Sequence, residues 1–137
     1  MTDTLLSEKF VLVVEDEPRN AALMVAMLKI VGITKLKICK SGHEILPAIH
    51  ETPRIALVLL DLQLPGEDGY QIFERLRLEP ILKGTPVVAV TAQVMPDDVA
   101  RAESVGFDGF LGKPLVFDRF PLQIRRLLTG ERVWEPR

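Results

Sequence analysis

"LVLLDLQLPGEDGY", residues Leu57 to Tyr70, drives one carboxylate, Asp61, out of an apolar run and straight into a Pro-Gly turn. A carboxylate buried without a partner costs several kcal/mol or is forced into its neutral form. Asp61 therefore either sits at the very end of a strand, where water or a cation can reach it, or the strand reading is wrong. The "PGEDG" that follows is foremost a turn, in which Pro65 and Gly66 serve geometry.

Outward from this stretch, short apolar runs alternate with helical patterns. "FVLVVE" (Phe10 to Glu15), "KLKIC" (Lys35 to Cys39), "IALVLLD" (Ile55 to Asp61), "PVVAVTA" (Pro86 to Ala92) and "FDGFLGK" (Phe107 to Lys113) have the length of strands. The first, third and fourth are nearly continuous Val, Leu, Ile and Ala, which suits central parallel strands covered on both faces. Between them, Leu23, Met27, Ile30 and Val31, then Ile72 and Leu76, then Phe117, Phe120, Ile124, Leu127 and Leu128 recur at helical spacing. Five strands alternating with five helices predict an α/β domain with a parallel sheet. Pro47 lies inside the second helical segment, "SGHEILPAIH", where its ring and missing N–H oppose a helix, so that helix is expected to start late or bend. Residues 1–128 are read as one domain and 129–137 as a short tail whose sizeable apolar anchor is Trp134.

Composition narrows the function classes. The chain has 137 residues, 47% hydrophobic and 26% charged, enough for one full core. A net charge of -2 and a pI of about 5.7 leave no broad basic footprint, so direct nucleic-acid binding is not expected. No apolar run reaches the roughly 18 residues that span a bilayer, and the first residues lack a basic start followed by an apolar signal core; a cytoplasmic protein without membrane contact is expected. Cys39 is the single cysteine and is read as a buried filler. His43 and His50 are read as surface residues of the second helix.

In a parallel open sheet the strands end at one edge, and ligands bind in the crevice beyond those carboxyl ends. Glu15 and Asp16, Asp61, Thr91 and Lys113 should therefore meet at one rim. Three carboxylates about 5 Å apart repel by roughly 3 kcal/mol per pair at an effective dielectric of 20. Such a cluster asks for a cation, and hard oxygen ligands with room for water suit Mg²⁺ rather than zinc. A hydroxyl and an ammonium on the other flank are what a phosphoryl group needs. Plainer roles exist for each residue: Glu15 and Asp16 as caps of the helix beginning near Pro18, Thr91 as a strand-end hydroxyl bonded to backbone, Lys113 as a solvated amine.

"VLVVEDEP", "LVLLDLQLPGEDGY", "PVVAVTA" and "FLGKPL", in this order and spacing, resemble the response-regulator receiver domains of two-component signalling, most of all the single-domain chemotaxis and cell-cycle type. The resemblance covers the chain through Leu128. It implies a flavodoxin-like, doubly wound, five-stranded parallel sheet in the order 2-1-3-4-5 with five helices. It places the phosphoacceptor at Asp61, the Mg²⁺ ligands at Glu15, Asp16 and Asp61 plus the backbone carbonyl of Gln63, the switch hydroxyl at Thr91, the phosphate-pairing amine at Lys113 and the switch aromatic at Phe110. Gln63 and Gln93 fall at the positions that tune the lifetime of the acyl phosphate, and the Lys113–Pro114 peptide is expected cis. Glu15 stands where Asp is commoner, and Phe110 lacks the hydroxyl of a tyrosine.

The function so implied is a stand-alone receiver that takes a phosphoryl group from a sensor histidine kinase or a histidine phosphotransfer protein and signals by phosphorylation-dependent binding to a downstream protein. It acts on its own phosphorylation and autodephosphorylation and on no other substrate; a homodimer is left open. Two other classes compete. A constitutive, unphosphorylated interaction domain is disfavoured because Asp16, Asp61, Thr91 and Lys113 are all present. A phosphatase of the haloacid dehalogenase type wants a second Asp two residues after the nucleophile, where Gln63 stands.

Overall fold

A computed structural model describes residues 6–52 and 54–137. The elements in chain order are β1 (Phe10–Val14), α1 (Pro18–Val31), β2 (Lys35–Cys39), α2 (Gly42–Glu51), β3 (Leu57–Asp61), α3 (Gly69–Arg77), β4 (Val87–Thr91), α4 (Pro96–Val105), β5 (Gly109–Gly112), α5 (Phe120–Leu128) and β6 (Trp134–Glu135), with a 3₁₀ turn at Pro80–Leu82. The strands form one sheet in the order β2-β1-β3-β4-β5-β6, and every pairing is parallel. Among the described residues, the first five strands and the five helices that follow them are the flavodoxin-like arrangement expected. Residues 129–137, read from the sequence as a tail, supply a sixth strand at the far edge.

Alternation along the strands builds two cores. Leu12, Val14, Val58, Leu60 and Ala89 face α2, α3 and α4, packing with Ile45, Ile49, Ile72, Phe73 and Ala102. Val11, Val13, Leu57, Leu59, Val88 and Val90 face α1 and α5, packing with Met24, Met27, Leu28, Ile124 and Leu127. Burial on both faces is why β1, β3 and β4 read as unbroken apolar runs: each fully buried Val or Leu contributes about 1.5–3 kcal/mol. β2 lies at the edge and keeps Lys35 and Lys37 exposed.

The second helix does not start late. It begins at Gly42 and runs through Pro47, whose missing N–H would have served the carbonyl of His43, an exposed residue with water at hand. Cys39 is fully buried and burial pushes its thiol up to about 11, as befits an unreactive filler. His43 and His50 are exposed, His50 lying 3.6 Å from Glu79.

The turn after Asp61 is packed tightly. A Cβ on Gly69 would lie 2.7 Å from the Leu62 Cα and 3.0 Å from its carbonyl oxygen, so only glycine lets α3 begin against this loop. Gly69→Ala is expected to lower stability by roughly 1–3 kcal/mol, more than the ~1 kcal/mol alanine gains in helix propensity. An unchanged thermal melting midpoint would contradict this packing argument.

Candidate functional site

β1, β3, β4 and β5 end side by side, and the residues that leave them meet at one rim. One carboxylate oxygen from each of Glu15, Asp16 and Asp61 lies within 4.8 Å of the others. Glu15 and Asp61 are 1% and 3% exposed, so two of these charges are held almost out of water. Lys113, directly after β5, reaches back with Nζ donating to Glu15 Oε1 at 3.0 Å and to Asp61 Oδ2 at 3.1 Å. The Lys113–Pro114 peptide is cis.

One ammonium facing three carboxylates leaves the cluster under-neutralised. Burial pushes the Glu15 carboxyl above the usual carboxylate range, and the Asp61 charge adds to this, while the bonds from Lys113 and from the Glu17 amide oppose it. Burial also works against the Lys113 charge, but the hydrogen bond to Glu15 and the charge of Asp61 outweigh it and hold that amine above its ordinary value. The site is thus an oxygen-rich, anionic recess with one cation on its rim. Its donor set, carboxylates alone with neither histidine nor thiolate, fits a hard divalent cation such as Mg²⁺.

The plainer roles are partly taken by other residues. The cap of α1 is Glu17, whose side chain accepts from the Asn20 amide at 2.8 Å, while Glu15 Oε2 accepts from the Glu17 amide at 3.1 Å. Asp68 caps α3 by accepting from the Tyr70 amide. Thr91 does bond backbone, its Oγ1 accepting from the Gln93 amide at 3.0 Å, but it also donates to Gln63 Oε1 at 3.2 Å.

Gln63 is the member whose placement the spacing did not foretell. Its backbone N–H donates to Asp61 Oδ1 at 2.9 Å. Its carboxamide oxygen crosses the rim to accept from both the Thr91 hydroxyl and the Ala92 amide, each at 3.2 Å. One residue therefore steadies the Asp61 carboxylate and occupies two donors on the opposite side of the recess. Glu67 was also missed: its carboxylate accepts from the Gly42 amide at 2.9 and 3.0 Å, tying the loop after Asp61 to the start of α2. Gln93 is exposed beside Thr91, and Phe110 is fully buried in β5, with its ring 5.5 Å from that of Trp134. An apolar cleft lined by Leu23, Met24, Ala92 and Leu115 opens beside Glu15 and Lys113.

Similarity to known proteins agrees with this geometry. The response regulator receiver domain family matches residues 11–125. Response regulator Rre1 of Synechocystis sp. is 33% identical over 122 residues, covering 88% of this chain and 52% of that protein. The signal transduction histidine-protein kinase BarA of Escherichia coli (strain K12) is 29% identical over 133 residues, 97% of this chain but 14% of the kinase. The chain thus spans about half, or much less, of the length of these curated relatives. Among solved structures, the receiver domain of a histidine kinase from Syntrophus aciditrophicus superposes with a TM-score of 0.77 at 30% identity, over 89% of this chain and 91% of that one. The receiver domain of a Pseudomonas aeruginosa PAO1 sensor histidine kinase, solved with a magnesium ion coordinated in its active-site cleft, shares the fold at a TM-score of 0.77 and 24% identity, over 89% of this chain and 98% of that one. Among the described residues no helix is long and apolar enough to cross a membrane.

Proposed function

The chain belongs to the response regulator receiver domain family, and from that premise we propose that Asp61 accepts a phosphoryl group in a Mg²⁺-dependent reaction and that the modified domain signals by binding a protein partner. The observation that carries this reading is the Glu15, Asp16 and Asp61 cluster with Lys113 bonded to two of its members. A purely structural acidic cluster has no reason to gather on a sheet's ligand-binding edge.

Asp61 is the nucleophile: one carboxylate oxygen bonds to phosphorus while the bond from phosphorus to the donor's histidine nitrogen breaks and its electron pair leaves with the imidazole. The Gln63 amide bonded to Asp61 Oδ1 fixes the carboxylate's plane, and Lys113 bonded to Oδ2 stands ready to pair with a phosphoryl oxygen. Glu15, Asp16, Asp61 and the Gln63 carbonyl would hold Mg²⁺, which when bound neutralises charge on the cluster and on the phosphoryl oxygens. Water later hydrolyses the acyl phosphate, with Gln63 and Gln93 at the mouth as uncharged amides that orient but do not deprotonate it. The donor is a sensor histidine kinase or a histidine phosphotransfer protein, entering by the apolar cleft beside Lys113.

Gln63 makes the reading specific to this chain. Its carboxamide oxygen holds the Thr91 hydroxyl and the Ala92 amide, donors that phosphoryl oxygens on Asp61 would use, so the resting site competes with its own product. Since a hydrogen bond is worth about 0.5–1.5 kcal/mol net, Gln63→Ala should tighten binding of the phosphoryl mimic beryllofluoride in Mg²⁺ by roughly fivefold. Weaker binding would mean that Gln63 assists the phosphoryl group rather than competing with it.

A second test reads the metal without any transfer. A ligand that binds only the folded state stabilises by about 2.7 kcal/mol at a hundred times its dissociation constant, so Mg²⁺ should raise the melting midpoint, and Asp16→Asn should shrink that rise. A rise of equal size in the variant would remove Asp16 from the ligand set.

A further inference from the structure

The loop that leads from Asp61 to α3 is strung between two anchors. On the β4 side, the Leu62 amide donates to the Val90 carbonyl at 3.2 Å, and the Gln63 carboxamide oxygen accepts from Thr91 and Ala92. On the other side, Glu67 reaches the first residue of α2, where both of its carboxylate oxygens accept from the Gly42 amide, at 2.9 and 3.0 Å. The Glu67 backbone takes part as well. Its amide donates to the Leu64 carbonyl at 3.3 Å, closing a turn in which Leu64 is buried and Gly66 takes the left-handed conformation at a φ of 68°. Within the span so anchored, the Gln63 amide holds Asp61 Oδ1 at 2.9 Å.

Two features show that α2 is built to receive this carboxylate. Ser41, directly before α2, makes no side-chain capping bond, so one of the helix's open N–H groups is answered from the loop instead. Gly42 lies outside the left-handed region, so its backbone gives no reason for glycine. Space gives one: a Cβ at Gly42 would collide with Glu67 Oε1, and would meet Arg75 and Ile72 at 3.1 and 3.3 Å. All three neighbours are the ends of side chains, so a methyl group here pushes the Glu67 carboxylate off its partner and leaves the backbone where it is.

We propose that Glu67 is a positioning residue for the metal: by pinning the Leu64–Glu67 turn to α2, it holds the Gln63 backbone where its carbonyl can serve Mg²⁺ and its amide can orient Asp61. The inference rests on the phosphotransfer reading and adds to it a residue outside the cluster of Glu15, Asp16 and Asp61. Groups that hold a metal ligand in place from behind typically matter about 10–100-fold in metal affinity, and an effect relayed through a turn of backbone belongs at the lower end of that range.

The two halves of the contact can be broken separately. Glu67→Gln leaves one oxygen for the Gly42 amide and removes a charge; Gly42→Ala displaces the carboxylate and keeps the charge. In calorimetric titrations of the full chain with Mg²⁺, each variant should raise the dissociation constant roughly tenfold. The double variant should match the single ones instead of multiplying to about a hundredfold, because both changes act on one contact. Phosphoryl uptake from acetyl phosphate at saturating Mg²⁺ should stay within about twofold of the unaltered chain, the pattern of a weakened binding step with an intact chemical one. Should Gly42→Ala fail to fold, Glu67→Gln titrated in about 0.5 M NaCl carries the comparison, because a lost charge is screened there and a lost anchor is not. Unchanged affinity in Gly42→Ala beside weakened affinity in Glu67→Gln would reduce Glu67 to a remote charge, and multiplied effects in the double variant would separate the two residues; either result overturns the proposal, as does unchanged affinity in Glu67→Gln. Absence of Mg²⁺ binding by the unaltered chain would overturn the phosphotransfer reading itself, and the proposal with it.

Discussion

Asp61→Asn is expected to abolish phosphoryl uptake from acetyl phosphate while leaving the chain folded and no less stable. The uptake half follows from chemistry, since an amide is no nucleophile toward phosphorus at neutral pH. The stability half follows from the charge count at the rim. Asp61 is one of three carboxylates within 4.8 Å served by a single Lys113, and each like-charge pair at that distance costs about 3 kcal/mol at an effective dielectric of 20. Removing one charge leaves Lys113 paired with Glu15 and relieves two repulsions. Labelling of the variant at the rate of the unaltered chain would show that another group is the acceptor, and a collapsed melting midpoint would show that Asp61 is chiefly structural.

Lys113→Met should show the opposite pattern in stability and a similar one in transfer. Lys113 is the one cation bonded to Glu15 and Asp61 among the described residues, and both carboxylates are almost fully buried. Breaking a buried pair by deleting one partner costs about 3–5 kcal/mol, because the remaining charge keeps its desolvation penalty and loses its compensation. The 18% exposure of the lysine side chain puts the expected loss at the lower end of that range. Mg²⁺ should restore part of the stability by supplying charge to the same oxygens, and phosphoryl uptake should stay low even when the melting midpoint has recovered. A variant that melts like the unaltered chain in the presence of a chelator would contradict the charge balance argued for the rim.

The contrast between these variants rests on features that differ in how openly the sequence displays them. The strands were readable because β1, β3 and β4 are buried on both faces, a condition that leaves an unbroken apolar run. The rim followed from them, since a parallel sheet sends Glu15, Asp16, Asp61, Thr91 and Lys113 to one edge whatever the helices do. β6 was not readable. It has two ladder residues, Trp134 and Glu135, and what holds it lies elsewhere in the chain, in the missing side chains of Gly109 and Gly112 and in the arginines of α5. The Gln63 bridge escaped for the same reason, because a two-residue offset from Asp61 places its backbone but says nothing of which donors its carboxamide meets across the sheet. The late start expected at Pro47 does not occur, because a solvent-facing helix turn tolerates a lost bond that a buried one does not.

The most direct measurement of the central claim is peptide-level mass spectrometry of the unaltered chain after acetyl phosphate treatment, with Mg²⁺ and with a chelator in its place. The account predicts a single phosphoryl group on the peptide containing Asp61, formed with Mg²⁺ and absent with the chelator. Modification of equal extent under both conditions, or a phosphoryl group on Glu15, Asp68 or a histidine instead, would contradict it.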